Sequence, residues 1–103
     1  MMKRAFSRNS PSLLQPVEMS AEFGVRLGGR KSLLVGRNEC CDVVVPLAMV
    51  SKHHCRIYRA GRHWYVEDLD SRNGTYVNQQ RVVRKRLRVG DVLSVADFHF
   101  LVK

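Results

Sequence analysis

The chain has 103 residues, of which 45% are apolar and 26% charged, and this is the size and composition of a single soluble globular domain. Eighteen Lys and Arg against nine Asp and Glu give a formal net charge of +9, which favours anionic partners. No apolar run approaches the length of a membrane span, so we expect no membrane partner. Three cysteines, two of them adjacent, form a poor disulfide framework and indicate a reducing compartment. We therefore expect a cytoplasmic location, or a nuclear one in a eukaryote.

Residues 1–20 are predicted to form a disordered tail. Pro11 and Pro16 interrupt regular structure there, and the segment lacks the continuous apolar run of a secretory signal. The folded domain is therefore predicted to occupy residues 21–103.

The rest of the chain alternates short β-branched or apolar runs with turns, and it shows no sustained helical period. The predicted strands are Ala21–Leu27, Ser32–Val35, Asp42–Val45, His54–Tyr58, His63–Leu69, Thr75–Val77, Gln80–Val83, Val92–Val95 and Phe98–Val102. This pattern predicts an all-β sandwich.

Three polar segments interrupt the strands: Gly36-Arg37, Ser51-Lys52-His53-His54 and Ser71 to Asn78. They contain side chains suited to an anion, because an Arg fork donates two parallel hydrogen bonds and a Ser hydroxyl donates one. Each side chain also has an ordinary structural interpretation. Arg37 could be a solvated strand end and Ser51 a local turn. His54 is predicted to brace its loop.

In combination, the segments resemble the forkhead-associated (FHA) domain. Ser51 follows Arg37 by fourteen positions, and Ser-x-Asn-Gly-Thr-x-Val-Asn begins at Ser71. Trp64-Tyr65-Val66-Glu67-Asp68-Leu69 and Gly90-Asp91 extend the likeness, which covers Phe23 to Val102.

The resemblance implies a sandwich of about eleven strands whose loops at one end bind phosphothreonine peptides. Arg37 and Ser51 would contact the phosphate, Lys52 and Arg72 would add positive charge, and Asn73 would bond the peptide main chain. The residues that would shape the loops instead are Gly36, His54, Gly74 and Asn78. The resemblance therefore implies a monomeric, non-catalytic signalling adaptor.

The chain departs from the family pattern in two hairpins. Gln79 stands where a glycine commonly follows Asn78, and Ala96-Asp97 lacks the glycine often seen before the last strand. The segment Leu47 to Val50, ahead of Ser51, carries no charge. We therefore expect an apolar residue three positions after the phosphothreonine.

An enzyme and a metal site are both disfavoured. Ser51 and His54 with Asp68 or Asp70 lack the Gly-x-Ser-x-Gly elbow of a nucleophile. Cys40, Cys41, His53, His54 and Cys55 offer zinc-ligand types. However, adjacent residues of an extended chain point to opposite faces, and no Cys-x-x-Cys is present. We expect small buried cysteines, with no metal and no cofactor.

Two alternative functions stay open. The basic residues Arg81, Arg84-Lys85-Arg86 and Arg88 could bind nucleic acid or another acidic surface. Such a run is typical of a solvated loop, and no interleaved aromatic residue offers base stacking. The other alternative is a phosphate-independent interaction through a sheet face.

Overall fold

The computed structural model describes residues 10–18 and 24–103, which form two β-sheets and, within those ranges, no helix. Across the same residues nothing has the length and apolar character of a membrane-spanning helix. The predicted all-β sandwich is confirmed. Its strands are β1 Leu13–Pro16, β2 Val25–Arg26, β3 Ser32–Gly36, β4 Val43–Val44, β5 Cys55–Ala60, β6 His63–Asp68, β7 Thr75–Val77, β8 Gln80–Val82, β9 Arg84–Leu87, β10 Val92–Val95 and β11 Phe98–Val102.

One sheet has six strands in the order β2-β1-β11-β10-β7-β8, and the other has five in the order β4-β3-β5-β6-β9. Alternate residues of the strands face inward, as period-2 patterning requires, and bury a core between the sheets. Its fully enclosed side chains include Leu33, Val35, Ile57, Val66, Leu93 and Val95.

The register of the five-stranded sheet decides where the polar loops lie. Val35 pairs with Cys55, and Cys55 pairs with Asp68, so the end of β3, the start of β5 and the end of β6 are aligned. The loops that leave these three positions therefore emerge at the same end of the sandwich.

The predicted tail is wrong at Leu13–Pro16, which form β1 between β2 and β11. Leu14 is fully buried and lies opposite Val102. A short run next to two prolines gave too little local signal, whereas pairing with β11 and burial of Leu14 stabilise the strand. Residues 1–9 and 19–20, and the predicted strand residues 21–23, lie outside the described residues.

The central part of the basic run is likewise a strand and not a loop. Arg84–Leu87 form β9, the edge of the five-stranded sheet, where Leu87 is buried opposite Trp64. The sequence hides this strand because three consecutive cations mask its alternation, and long basic side chains are tolerated on an edge strand.

Candidate functional site

Three loops at the aligned strand ends surround a cavity of about 300 Å³. The first loop follows β3, the second joins β4 to β5, and the third joins β6 to β7. The cavity is lined by Arg37, Ala48, Met49, Val50, Ser51, Lys52, Arg72 and Asn73. Three of these side chains are cationic and none is acidic, so the cavity has a positive potential. All five residues predicted to bind a phosphopeptide lie in this lining.

Arg37 and Ser51 are joined through their backbones. The Arg37 amide donates to the Ser51 carbonyl at 3.0 Å, and Arg37 Nε donates to the Val50 carbonyl at 2.9 Å. This second bond fixes the guanidinium at its root and leaves its two terminal nitrogens to donate elsewhere. Ser51 Oγ accepts a 3.0 Å bond from the Arg72 amide, so its own hydrogen can be donated to an anion.

Gly36 allows the close approach of these two loops. A Cβ placed on Gly36 would lie 2.1 Å from the Lys52 carbonyl oxygen and 3.0 Å from Cys41 Sγ. Any other residue would push the Ser51-Lys52 backbone away from β3. The expectation that Gly36 shapes the loops agrees with this contact.

The turn that carries Arg72 and Asn73 is organised by a carboxylate. Asp68 accepts hydrogen bonds from the Ser71 amide at 3.0 Å, Ser71 Oγ at 2.5 Å and Thr75 Oγ1 at 2.7 Å. Burial acts to raise the pKa of Asp68, but these bonds stabilise the charged form and hold its pKa below the ordinary value. The carboxylate is therefore ionised at neutral pH and fixes the turn.

His54 connects the second loop to the third. It is fully buried, its Nδ1 accepts the Ser51 amide hydrogen at 3.0 Å, and its Nε2 donates to the Gly74 carbonyl at 2.7 Å. These two partners require a neutral imidazole protonated on Nε2. Since His54 bonds the Ser51 amide rather than its hydroxyl, the pair is not arranged as a nucleophile and base.

The FHA domain family model matches residues 33–96, more than half of the chain, and the match includes the whole cavity lining. The chain belongs to the FHA family. FHA domains are in general non-catalytic binding modules.

Curated relatives and solved structures agree with this assignment. FhaB of Mycolicibacterium smegmatis is 39% identical over 54 residues, which are 52% of this chain and 35% of FhaB. The match thus spans about a third of that relative's length. An FHA structure from work on phosphothreonine-dependent FHA domain interactions superposes with a TM-score of 0.82 at 28% identity, covering 91% of this chain and 96% of that one. Mycobacterium tuberculosis EmbR in complex with a low-affinity phosphopeptide gives 0.83 at 27% identity, covering 91% and 24%.

Two further loop residues of this FHA domain have clear structural contacts. Gly74 has a φ of +90°, and a Cβ there would lie 2.8 Å from Arg81 Nε. Asn78 lies apart from the cavity, in the β7–β8 turn, where its side chain bonds Asp91 and the Val92 amide at 3.0 and 2.9 Å. Both contacts agree with the loop-shaping role expected for these residues.

Asp68, Ser71 and Thr75 were missed as supports of the site. Ser71 Oγ also accepts the Gly74 amide hydrogen at 3.0 Å, so the three residues fix both ends of the turn that holds Asn73. The spacing of Asp68 and Ser71 is typical of a side chain that bonds the backbone of its own turn. This spacing is the sequence signal from which their supporting role could have been predicted.

The cysteines of the FHA domain are of two kinds. Cys41 and Cys55 are buried, as expected, and burial raises the pKa of the Cys55 thiol to about 12. Cys40 is exposed, so the expectation of buried cysteines is wrong at this position. Its thiol lies 3.3 Å from His53 Nε2.

Proposed function

We propose that this FHA domain binds phosphothreonine in a partner protein and acts, as a monomer, as a non-catalytic signalling adaptor. The observation that carries the proposal is the cavity itself: it has three cations, a serine hydroxyl and an asparagine amide in its lining, and no carboxylate. A phosphate with a charge of about −1.5 to −2 at neutral pH matches that lining.

Arg37 and Ser51 are proposed to bond the phosphate oxygens. The terminal guanidinium nitrogens of Arg37 suit a bidentate contact, and its Nε–Val50 bond reduces the freedom lost on binding. Ser51 adds a hydroxyl donor from a residue held by Arg72 and His54. Lys52 and Arg72 are exposed, and in this proposal they contribute mainly charge.

Asn73 is proposed to bond the peptide main chain. Its Nδ2 donates to the Met49 carbonyl at 2.7 Å, which holds the amide across the mouth of the cavity. The amide oxygen is then directed by that bond and accepts from a peptide amide. Three or four charge-assisted bonds of roughly 1.5–3 kcal/mol each, less the ordering cost, give an affinity on the order of micromolar, about −8 kcal/mol.

Part of the second loop, residues 48–50, gives the cavity an apolar side. Met49 lines the cavity and is 55% exposed, and Leu47 is 44% exposed in the same loop. Exposed apolar side chains next to a charged cavity favour an apolar residue three positions after the phosphothreonine.

The deciding experiment compares one peptide in three forms. A sequence selected from a phosphothreonine library is made with phosphothreonine, phosphoserine and unmodified threonine, and each is titrated by calorimetry at fixed salt. We expect micromolar binding of the first form, weaker binding of the second and none of the third. Equal binding of the unmodified peptide would contradict the proposal, and selection of Asp at the third following position would contradict the apolar preference.

A further inference from the structure

Three side chains that commonly bind metals lie together on the flank of the cavity. The two Sγ atoms of Cys40 and Cys41 and a ring nitrogen of His53 are all within 4.8 Å of one another, and Cys40 Sγ is 3.3 Å from His53 Nε2. Within residues 10–18 and 24–103, this is the one group of three Cys, His, Asp or Glu side chains so arranged.

Cys40 and Cys41 do not lie on extended chain, so the expectation that they point to opposite faces is wrong. Both residues belong to a turn after Asn38. The Cys41 amide donates to the Asn38 carbonyl at 3.0 Å, and the Cys40 amide donates to Asn38 Oδ1 at 3.0 Å. Because the chain turns here, the two thiols are on the same side.

The distances among the three ligand atoms suit tetrahedral coordination of one ion after a small movement of the side chains. Zn–S bonds of about 2.3 Å and Zn–N bonds of about 2.1 Å place two sulfurs about 3.8 Å apart and a sulfur and a nitrogen about 3.6 Å apart. The 3.3 Å between Cys40 Sγ and His53 Nε2 is already close to that value. Since Cys40 and His53 are exposed, their side chains can rotate to close the remaining distance of up to 4.8 Å.

The surroundings support a site rather than a chance contact. Cys41 is buried, and its thiol donates a 3.3 Å hydrogen bond to the Lys52 carbonyl, so its sulfur lies beside the loop that carries His53. Zinc binding would release this proton and replace the hydrogen bond with a Zn–S bond. Cys40 and His53 provide an open path for an ion. Two thiolates would neutralise the charge of a divalent cation that the basic surface would otherwise repel.

We propose that Cys40, Cys41 and His53 bind a thiophilic divalent cation, Zn²⁺, with the fourth coordination position open to water. Two sulfurs and one imidazole select zinc over Mg²⁺ or Ca²⁺, which require oxygen ligands. The ion would join the 38–41 turn to the 51–53 loop. The proposal does not depend on phosphopeptide binding.

Zn²⁺ alone is titrated into the full chain, without an affinity tag and with the cysteines reduced by a phosphine. We expect one Zn²⁺ per chain. At a free Zn²⁺ concentration about 100 times Kd, the melting temperature should rise by about 10 °C or more. Cys40→Ser and His53→Gln should each weaken binding by about 100-fold or more, since loss of even an outer partner of a ligand costs 10–100-fold.

His63→Gln is the matched control, because His63 lies at the opposite end of β6 from the cavity, and it should leave Zn²⁺ affinity unchanged. Co²⁺ provides a second measurement on the unsubstituted chain, where thiolate-to-cobalt absorption reports sulfur ligands directly. Absence of that absorption, failure to bind Zn²⁺, or equal Zn²⁺ affinity in the Cys40→Ser and His53→Gln chains would each overturn the proposal.

Discussion

Two basic regions of this FHA domain, the cavity and the face of the five-stranded sheet around Arg84 and Arg56, differ in what their cations contact. On β9, the Arg84 guanidinium lies 4.2 Å from the Tyr65 ring, and its Nε donates to the Tyr58 hydroxyl. Arg56 on β5 lies 4.2 Å from the Tyr58 ring and forms a 2.9 Å ion pair with Glu67. These cations lie on a sheet face and already have partners.

The cavity differs in shape and in its available donors. Arg37 Nε bonds the Val50 carbonyl at the root of the guanidinium, and His54 and Asp68 help to hold the surrounding loops. Its terminal nitrogens are therefore directed and still able to bond a ligand. A high local charge therefore does not by itself make a binding site; preorganised donors in a concave surface are also needed.

Aromatic residues lie beside the basic run in the folded chain, although the sequence places none within it. None is interleaved with the basic run in sequence, yet Tyr65 and Tyr58 lie beside Arg84 because β6 pairs with β9 and β5 pairs with β6. The two rings are stacked on each other with centroids 5.7 Å apart. Because guanidinium groups already lie over both rings, this face is less suited to stacking nucleic-acid bases.

The largest change predicted is the loss of phosphopeptide affinity when one charge is removed from the cavity. Removal of one charge beside β9 serves as the comparison. Arg37→Ala should reduce phosphopeptide affinity by about 100-fold or more, because two charge-assisted bonds are lost. Arg84→Ala makes the same change in net charge and should alter affinity by less than about twofold, since a distant surface charge is screened by salt. Calorimetric titration of both variants checks this, with circular dichroism confirming that each is folded. Similar losses in the two variants would show that the general charge, and not the cavity, determines binding.

Ser51→Ala tests the neutral donor of the cavity without altering charge. We expect phosphopeptide affinity to fall by about tenfold, because one hydrogen bond to a charged group is lost. The Arg72 amide also loses its acceptor. Ser94→Ala is the matched control, since the Ser94 hydroxyl bonds His99 at 2.6 Å on the six-stranded sheet, and it should leave affinity unchanged.

Asp68→Asn tests the support of the third loop and should lower the free energy of unfolding at pH 7 by about 1–3 kcal/mol. The amide cannot accept from Ser71 and Thr75 as the carboxylate does. The pKa of Asp68 is lowered in the folded state from a reference value of 3.8. Its contribution is therefore complete above that value and is lost as the pH falls below it. Denaturant unfolding at several pH values should show the two chains converging at low pH. A constant difference down to pH 2 would contradict this role.

The smallest change predicted is a gain in stability from a turn residue that does not line the cavity. Ala96 has a φ of 53° in the turn between β10 and β11, where the family often has glycine. Ala96→Gly should raise the free energy of unfolding by about 0.5–1 kcal/mol, because a left-handed conformation is unfavourable for a residue with a Cβ. Thermal melting measures the change. Phosphopeptide affinity of the Ala96→Gly chain should stay constant, which separates effects on the cavity from effects on overall stability. A lower melting temperature of this chain would argue against strain at Ala96.

Much of the fold could be predicted from the sequence because its signals are local. Strands such as Thr75–Val77 and Phe98–Val102 begin and end as their alternation and flanking turns predict. Leu13–Pro16 and Arg84–Leu87 could not be predicted in this way, because each is stabilised by pairing with a strand distant in sequence. The local sequence does not indicate which distant strand will be the pairing partner.

The candidate site likewise has features that could be predicted from the sequence and features that could not. The sequence by itself determined which side chains are available for an anion, since Arg37, Ser51 and Asn73 stand in polar segments between strands. Only the tertiary structure decided that they share one cavity, because the register from Val35 through Cys55 to Asp68 aligns three loops that are separated in the chain. It also decided that Cys40, Cys41 and His53 are neighbours, since this follows from a turn and a loop contact rather than from spacing.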